Sequence, residues 1–115
     1  MKSKVEFRVR IYRDAQIAIG PGKVDLLEAI AETGSISAAA RRFGMSYRRA
    51  WQLVDQMNHT LVRPVVETAT GGSHGGGARL TKTGEEVVRR YRTMEISARS
   101  AATEDIAALL RMIAP

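Results

Sequence analysis

The chain has 115 residues, with 18 lysines and arginines against 12 aspartates and glutamates, which gives a formal net charge of +6 at pH 7. This length holds one domain and excludes large catalytic scaffolds such as the (β/α)8 barrel, which needs about 250 residues. The absence of cysteine excludes disulfides, a thiolate nucleophile and a cysteine-based zinc site. The basic excess favours a polyanionic partner, nucleic acid before an anionic membrane, and the alternative is a plain solubility charge.

The N-terminal region, residues 4–19, alternates between apolar and polar side chains, which predicts β-strand structure. After Asp14, the short apolar run at 17–19 either pairs back on this strand or leads directly into the first helix. No stretch of the chain has the apolar length of a signal peptide or a membrane span. We therefore expect a cytoplasmic protein with no membrane partner.

The segment 21–81 has the pattern of a winged helix-turn-helix. A first helix is expected after Pro21, which suits an initial helical turn, and Gly34 is a natural stop. Two further helices follow within a few residues of each other, the second over 46–61. Two helices joined so tightly are typical of a helix-turn-helix, and Ala40 is small enough for them to cross closely.

Three residues are predicted to define this helix-turn-helix locally. Ser37 is expected to cap the first helix of the pair, and Gly44 is expected to supply the left-handed backbone that ends it. Ser46 is expected to cap the second helix. These predictions rest on local chemistry, because each residue type suits its position in a tight turn.

After this second helix, residues 65–81 read as strand, glycine-rich loop and strand, which predicts the wing. The region 83–114 carries two apolar stripes at helical spacing. Since the stretch Thr103-Glu104-Asp105 could cap a second helix there, the sequence leaves open whether this region is one helix or two. The predicted fold is mainly α with a small β component, a winged helix-turn-helix followed by a C-terminal helical region.

The candidate nucleic-acid contacts begin with Arg48 and Arg49 in the first turn of the predicted helix 46–61. The helix macrodipole disfavours cations there by about 0.3–1 kcal/mol each, so stability does not explain them. The first turn of the second helix enters the major groove in helix-turn-helix proteins, where arginine binds guanine or phosphate. Tyr47 and Gln52 are expected on the same exposed face; the alternative is a solvated basic surface.

Five further candidates have weaker support. Arg41 and Arg42 end the preceding helix, where the dipole favours cations, so a structural role and phosphate contact have equal weight. Three donors are expected near the wing, with a loop that contacts nothing as the alternative: His74, Arg79 and Lys82.

Chemistry other than binding has no support in the sequence. The glycine-rich loop lacks the G-x-x-x-x-G-K-[ST] pattern of a phosphate loop and connects two strands. No catalytic constellation, metal motif or cofactor site is present, because the two histidines are far apart in sequence and no nucleophile motif occurs. We expect no enzymatic activity, no cofactor and no metal.

Several motifs together resemble a known family. GSIS at 34–37, SYRRAW at 46–51, MN at 57–58 and ATGGSHGGGARLTKTG at 69–84 resemble the N-terminal DNA-binding domain of the ModE family of molybdate-responsive transcriptional regulators, relatives of the LysR-type winged helix-turn-helix. The resemblance implies that the recognition helix carries Ser46 together with Tyr47, Arg48, Arg49 and Gln52. It also implies a duplex-DNA partner and control of molybdenum-related genes.

The resemblance further implies a homodimer held by the first and last helices, which makes 83–114 a C-terminal dimerisation region. The candidate seam residues are Leu27, Ile30, Val87, Tyr91 and Met94, with the core of a single protomer as an equal alternative. Family members sense molybdate through C-terminal β-barrel domains. The sequence ends at Pro115 with helix-like residues, so we do not expect it to bind molybdate.

Two other functions are the alternatives to a DNA-binding regulator. One is a small molybdate- or oxyanion-binding protein that kept the fold. The other is a protein-interaction module on the same scaffold, whose second helix would expose apolar side chains in place of Tyr47, Arg48, Arg49 and Gln52.

Overall fold

The computed structural model describes residues 2–69 and 77–115. Its elements, in chain order, are strands β1 (Ile11–Arg13) and β2 (Gln16–Ile19), helices α1 (Pro21–Thr33), α2 (Ile36–Arg42) and α3 (Tyr47–Thr60), strands β3 (Val66–Ala69) and β4 (Gly77–Leu80), and helices α4 (Lys82–Ala101) and α5 (Thr103–Arg111). The strands form two antiparallel hairpins, β1 with β2 and β3 with β4. The mainly α fold with a small β component is confirmed.

The N-terminal prediction is only partly correct. The run after Asp14 pairs back on β1, and Asp14 makes the turn with a positive φ of 53°. The prediction of a strand is wrong for residues 4–10, which belong to no sheet. We call residues 4–10 the N-terminal arm.

The arm lies against α4 through alternate residues. The backbone carbonyl of Val9 accepts a hydrogen bond from the Tyr91 hydroxyl at 2.7 Å, and the carbonyl of Val5 accepts one from Arg99 Nη2 at 2.8 Å. The Arg99 guanidinium also lies 5.8 Å from the centre of the Phe7 ring. The side chains of residues 4–10 therefore do alternate between two sides. The apolar side packs on a helix, and the polar side stays exposed.

The helix-turn-helix forms with one change of cap. Ser35, and not Ser37, caps α2, because its Oγ accepts a hydrogen bond from the backbone N–H of Ala38 at 3.0 Å. Ser37 lies inside the helix. Gly44 has a φ of 64°, and Ser46 Oγ accepts from the N–H of Arg49 at 3.0 Å, so both of these predictions are confirmed.

The core is built where α1, α2 and α3 meet the wing. Ala40 and Ala50 are buried on α2 and α3, which lets these helices cross closely. The largest fully buried side chains lie around them: Val24, Leu26, Leu27, Ile30, Val54, Met57 and Val65. Burial of such side chains contributes about 1.5–3 kcal/mol each. Helix α3 therefore has a fixed orientation relative to α1.

The base of the wing is closed by Thr81 and Gly84. Thr81 Oγ1 accepts from the Gly84 N–H at 3.0 Å and donates to the Pro64 carbonyl at 2.7 Å, so it caps α4 while holding the chain that precedes β3. A Cβ added at Gly84 would come within 2.2 Å of the Val65 carbonyl oxygen. Only glycine allows α4 to begin so close to this backbone.

The C-terminal region is two helices, which answers the question that the sequence left open. The backbone bends at Ala102, between α4 and α5. Thr103 does not cap α5; its hydroxyl donates to the carbonyl of Ser100 at 2.8 Å. Helix α5 has no buried residue, and large apolar side chains on and just after it are exposed, namely Leu109, Met112 and Ile113.

The structure corrects three of the five candidate seam residues. Leu27 and Ile30 have no exposed surface, and Tyr91 is only 2% exposed, so they belong to the interior of the protomer. Leu27 and Ile30 lie there because α1 is covered on its apolar side by α2, the wing and α4, whereas Tyr91 of α4 lies under the arm and bonds to the Val9 carbonyl. Val87 and Met94 remain half-buried on α4 and line an apolar groove against Ile11 and Ile19.

Candidate nucleic-acid interface

The exposed side of α3 is the centre of the candidate interface. Ala50, Val54 and Met57 face the core, and Arg48 and Gln52 project on the opposite side, one helical turn apart. The Ser46 cap gives the first turn a fixed start, since it satisfies an N–H group that the helix leaves free. Arg48 and Gln52 are thus exposed on a rigid element, in the first two turns of the helix, which are able to enter a groove.

Tyr47 and Trp51 lie on one flank of this helix. Their rings meet edge to face, with centroids 6.3 Å apart and planes at 87°. Trp51 is half-buried and packs against the core, while Tyr47 is 53% exposed. Trp51 thus supports the Tyr47 ring at the edge of the exposed surface.

Arg49 lies on the other flank, beside Met45 and Leu53, and faces the start of α1. There it approaches Lys23, whose side chain is 8% exposed and donates to the backbone carbonyl of Ile17. Burial lowers the pKa of Lys23, and the positive charge of Arg49 lowers it further. Within residues 2–69 and 77–115, neither Arg48 nor Arg49 forms an ion pair with a carboxylate.

The two arginines at the end of α2 have different surroundings. Arg42 forms an ion pair with Glu32 of α1, which gives it a structural partner. Arg41 Nη1 donates to the Ser37 hydroxyl at 3.1 Å, and that neutral partner does not compensate its charge. Arg41 is therefore the better placed of the two for an external anion.

The three candidates near the wing lie away from α3, and the two that the structure describes are on β4 and α4. Arg79 of β4 pairs with Glu67, directly opposite on β3, at 3.1 Å between Nε and Oε2. Lys82 is exposed at the first position of α4. His74 lies outside the described residues.

Two groups of relevant residues were missed by the sequence analysis as site residues. Arg8 and Arg10 of the arm line a cleft together with Arg49. Their positive charge on the polar face of the alternating segment is the signal that could have indicated them. Asn58 bonds to the backbone of the wing, and its only signal was its place in the MN motif.

The part of the chain that the structure describes has no residues that form a metal site or a membrane-spanning helix. No three histidine, aspartate or glutamate side chains there lie close enough to hold a metal ion. No helix among the described residues has both the length and the apolar character needed to cross a membrane.

Comparison with known proteins identifies the family. The sequence model of the bacterial regulatory helix-turn-helix proteins, lysR family, matches residues 22–85, which is more than half of the chain. The chain belongs to this lysR family. The matched region runs from α1 through the wing to the start of α4, so it contains the whole helix-turn-helix. This domain is a regulatory helix-turn-helix and not a catalytic domain.

The curated relatives include proteins named for molybdenum-pterin binding and for molybdenum transport. The chain is 52% identical over 77 residues to the molybdenum-pterin-binding protein MopB of Rhodobacter capsulatus, covering 67% of this chain and 28% of MopB. It is 39% identical over 94 residues to the molybdenum transport protein ModE of Azotobacter vinelandii, covering 82% of this chain and 35% of that protein. The chain thus spans about a third of these relatives, and its resemblance to the N-terminal domain of ModE proteins is confirmed.

Solved structures support the same fold. The crystal structure of the CbnR_DBD–DNA complex matches with a TM-score of 0.56 and 26% identity, over 76% of this chain and 95% of that one. The full-length LysR-type regulator LysG of Corynebacterium glutamicum matches with a TM-score of 0.58 and 24% identity, over 83% of this chain and 30% of LysG. The second likeness bears on the fold alone.

Proposed function

We propose that the protein is a transcriptional regulator that binds specific duplex DNA as a homodimer in the cytoplasm, with molybdenum-related genes among its targets. The observation that carries the proposal is the pair Arg48 and Gln52, exposed one turn apart at the capped start of α3. Arginine and glutamine are the side chains that form paired hydrogen bonds with guanine and adenine in the major groove. The likeness to the CbnR_DBD–DNA complex and to ModE proteins supports duplex DNA as the partner and molybdenum-related genes as targets.

The candidate site residues have different roles according to their position. Arg48 and Gln52 read base edges, because they project directly away from the core. Ser46, Tyr47 and Arg49 flank them on α3 and contact the sugar–phosphate backbone. Phosphate contacts position a protein on the duplex without reading sequence. The outer phosphate contacts come from Arg41 and Arg42 at the end of α2, from His74 and Arg79 of the wing, and from Lys82 at the start of α4.

A second copy of the chain is the partner that the C-terminal helices favour. The apolar side chains Leu109, Met112 and Ile113 are exposed at the end of the chain, and Val87 and Met94 line an apolar groove on α4. Burying such surfaces against a twofold-related copy removes them from water. Two recognition helices would then meet half-sites about 34 Å apart, or a multiple of that distance.

The experiment is selection of bound sequences from a random duplex library with the full chain. We expect enrichment of a palindromic or near-palindromic site, since a twofold dimer presents the same α3 surface twice. The double variant Arg48→Ala/Gln52→Ala is the matched control and should retain folding and lose enrichment. A wild-type selection that enriches no sequence contradicts the proposal.

A further inference from the structure

A basic cleft of about 330 Å³ lies between the N-terminal arm, the start of α1 and the flank of α3. Four cationic side chains from three separate parts of the chain line it: Arg8, Arg10, Lys23 and Arg49. The other lining residues are apolar or glycine, so none of the described residues that form the cleft is acidic. The lining itself therefore carries no counter-charge, and outside it Arg8 Nη1 forms an exposed ion pair with Glu6 Oε2 at 3.6 Å.

This arrangement is electrostatically unfavourable for the isolated protein. Lys23 is buried in the first turn of α1, where the helix dipole is positive and disfavours a cation. Burial lowers the pKa of Lys23, and the like charge of the nearby Arg49 lowers it further. A surface that gathers like charges against their own repulsion is suited to an anionic ligand.

Arg8 and Arg10 are held at the cleft by the contacts of their neighbours. Tyr91 binds the carbonyl of Val9, between the two arginines in sequence, and Arg99 packs on Phe7. In an extended segment successive side chains point to opposite sides, so anchoring Phe7 and Val9 on α4 directs Arg8 and Arg10 away from it. The side chain of Arg10 also packs close to Gly20, at the start of α1.

The position of the cleft decides which anion is favoured. Arg49 lines the cleft and also belongs to α3, where it lies on the flank next to the exposed face that carries Arg48 and Gln52. A duplex that is read by Arg48 and Gln52 runs its sugar–phosphate backbone along the flanks of α3. The backbone phosphates are therefore the anions that reach the cleft when α3 enters the groove.

We propose that the N-terminal arm is a second DNA contact, in which Arg8 and Arg10 hold a backbone phosphate of the duplex together with Arg49. The inference rests on the proposed function and adds to it a contact outside the helix-turn-helix and the wing. A phosphate held by the arm contributes affinity for any sequence, because phosphates are common to all duplexes.

The test compares two double variants of the full chain, Arg8→Gln/Arg10→Gln and the control Arg13→Gln/Arg89→Gln. Each removes two exposed arginines and changes the net charge equally. Each lost phosphate contact should reduce the slope of log affinity against log salt by about 0.9. We expect the arm variant to bind selected and random duplexes at least tenfold more weakly at 0.1 M salt, with a slope reduced by about 0.9, because the two arginines bind the same phosphate. The control should retain wild-type affinity and slope.

The outcomes separate this inference from the proposed function. If wild-type protein binds duplex DNA and the arm variant keeps its affinity and salt slope, the arm inference is wrong and the proposed function stands. If wild-type protein binds no duplex at all, both the arm inference and the proposed function are wrong. Equal thermal unfolding midpoints of the two double variants exclude loss of folding as the cause.

A free oxyanion in solution is the other anion that suits this basic cleft. Titration with inorganic phosphate, followed through the backbone amide signals of Gly22 and Lys23, should give only weak, non-saturating shifts. Saturable phosphate binding that is abolished in the arm variant, with DNA binding unchanged, would assign the cleft to a free oxyanion and overturn the proposal.

Discussion

Asn58 and Val66 form a two-way hydrogen-bonded pair that joins the recognition helix to the wing. Asn58 Oδ1 accepts from the Val66 N–H at 3.2 Å, and Asn58 Nδ2 donates to the Val66 carbonyl at 3.2 Å. The same Oδ1 accepts from the N–H of Val65 at 2.8 Å. The Asn58 side chain thus makes the backbone hydrogen bonds at the start of β3 that a neighbouring strand would otherwise make. It therefore fixes the end of α3 relative to the wing.

Replacing Asn58 by alanine should destabilise the protein by about 2 kcal/mol or more. The change leaves the N–H groups of Val65 and Val66 without their partner, and each unsatisfied buried group costs about 1–3 kcal/mol. Urea denaturation measures the loss. Gln56→Ala on the same helix is the control and should change the free energy of unfolding by less than about 0.5 kcal/mol. Equal effects of the two changes would contradict the bridging role of Asn58.

Two glycine-to-alanine changes should have opposite effects on stability. Gly84→Ala should destabilise by about 1–3 kcal/mol, because the new Cβ would meet the Val65 carbonyl oxygen at 2.2 Å. Gly22→Ala, in the first turn of α1, meets no atom within 4 Å and should stabilise by about 0.4–1 kcal/mol. Thermal unfolding of both variants checks the prediction, and a stabilising Gly84→Ala would refute the close packing of α4 on the wing.

Arg92 should contribute more to stability than the neighbouring Arg90. Its guanidinium binds Glu28 Oε1 at 3.0 Å, Asp25 Oδ1 at 2.7 Å and Glu95 Oε1 at 2.9 Å, which joins α4 to α1. The hydrogen bond to Glu28, followed by those to Glu95 and Asp25, holds the pKa of Arg92 above its ordinary value.

We therefore expect Arg92→Met to cost about 1–2 kcal/mol, since it leaves three carboxylates facing each other at a partly exposed site. Arg90→Met removes an exposed pair with Glu86 and should cost about 0.3–0.5 kcal/mol. Chemical denaturation of both variants measures the difference. Similar losses would show that the three carboxylates do not need their shared cation.

Arg48 and Lys82 should affect DNA binding in different ways. Arg48→Ala should weaken a selected site by about 1–3 kcal/mol and leave random duplex nearly unaffected, because a base contact is lost. Lys82→Ala should weaken all sequences alike and reduce the salt slope by about one. Fluorescence anisotropy with specific and random duplexes distinguishes them. Equal losses on both duplexes for Arg48→Ala would remove its role in reading bases.

The exposed apolar end of the chain should determine oligomeric state. Leu109→Lys places a charge on an α5 side chain that is 62% exposed, and sedimentation should show a shift from dimer to monomer. Val62→Lys, at a side chain 98% exposed in the connection between α3 and β3, is the control and should leave the dimer intact. A Leu109→Lys protein that remains dimeric would place the seam elsewhere.

The sequence by itself determined the features that depend on local chemistry. Gly44 and Ser46 define the turn because a left-handed residue and an N-cap are requirements of the backbone at those positions. The wing, the basic start of α3 and the resemblance to ModE proteins follow from residues close together in the chain. The choice of Ser35 over Ser37 as the α2 cap did not, since burial of Ile36 decides where that helix begins.

Only the tertiary structure decided what each face packs against. The alternation at 4–10 was visible in the sequence, but its partner proved to be α4, through the Tyr91 hydroxyl 82 positions away. Likewise Leu27 and Ile30 were recognisable as an apolar stripe, and their assignment to core over dimer seam depended on which helices cover α1. The physical reason is that periodicity records which side chains share a face, whereas the neighbour of that face is fixed by packing across the whole chain.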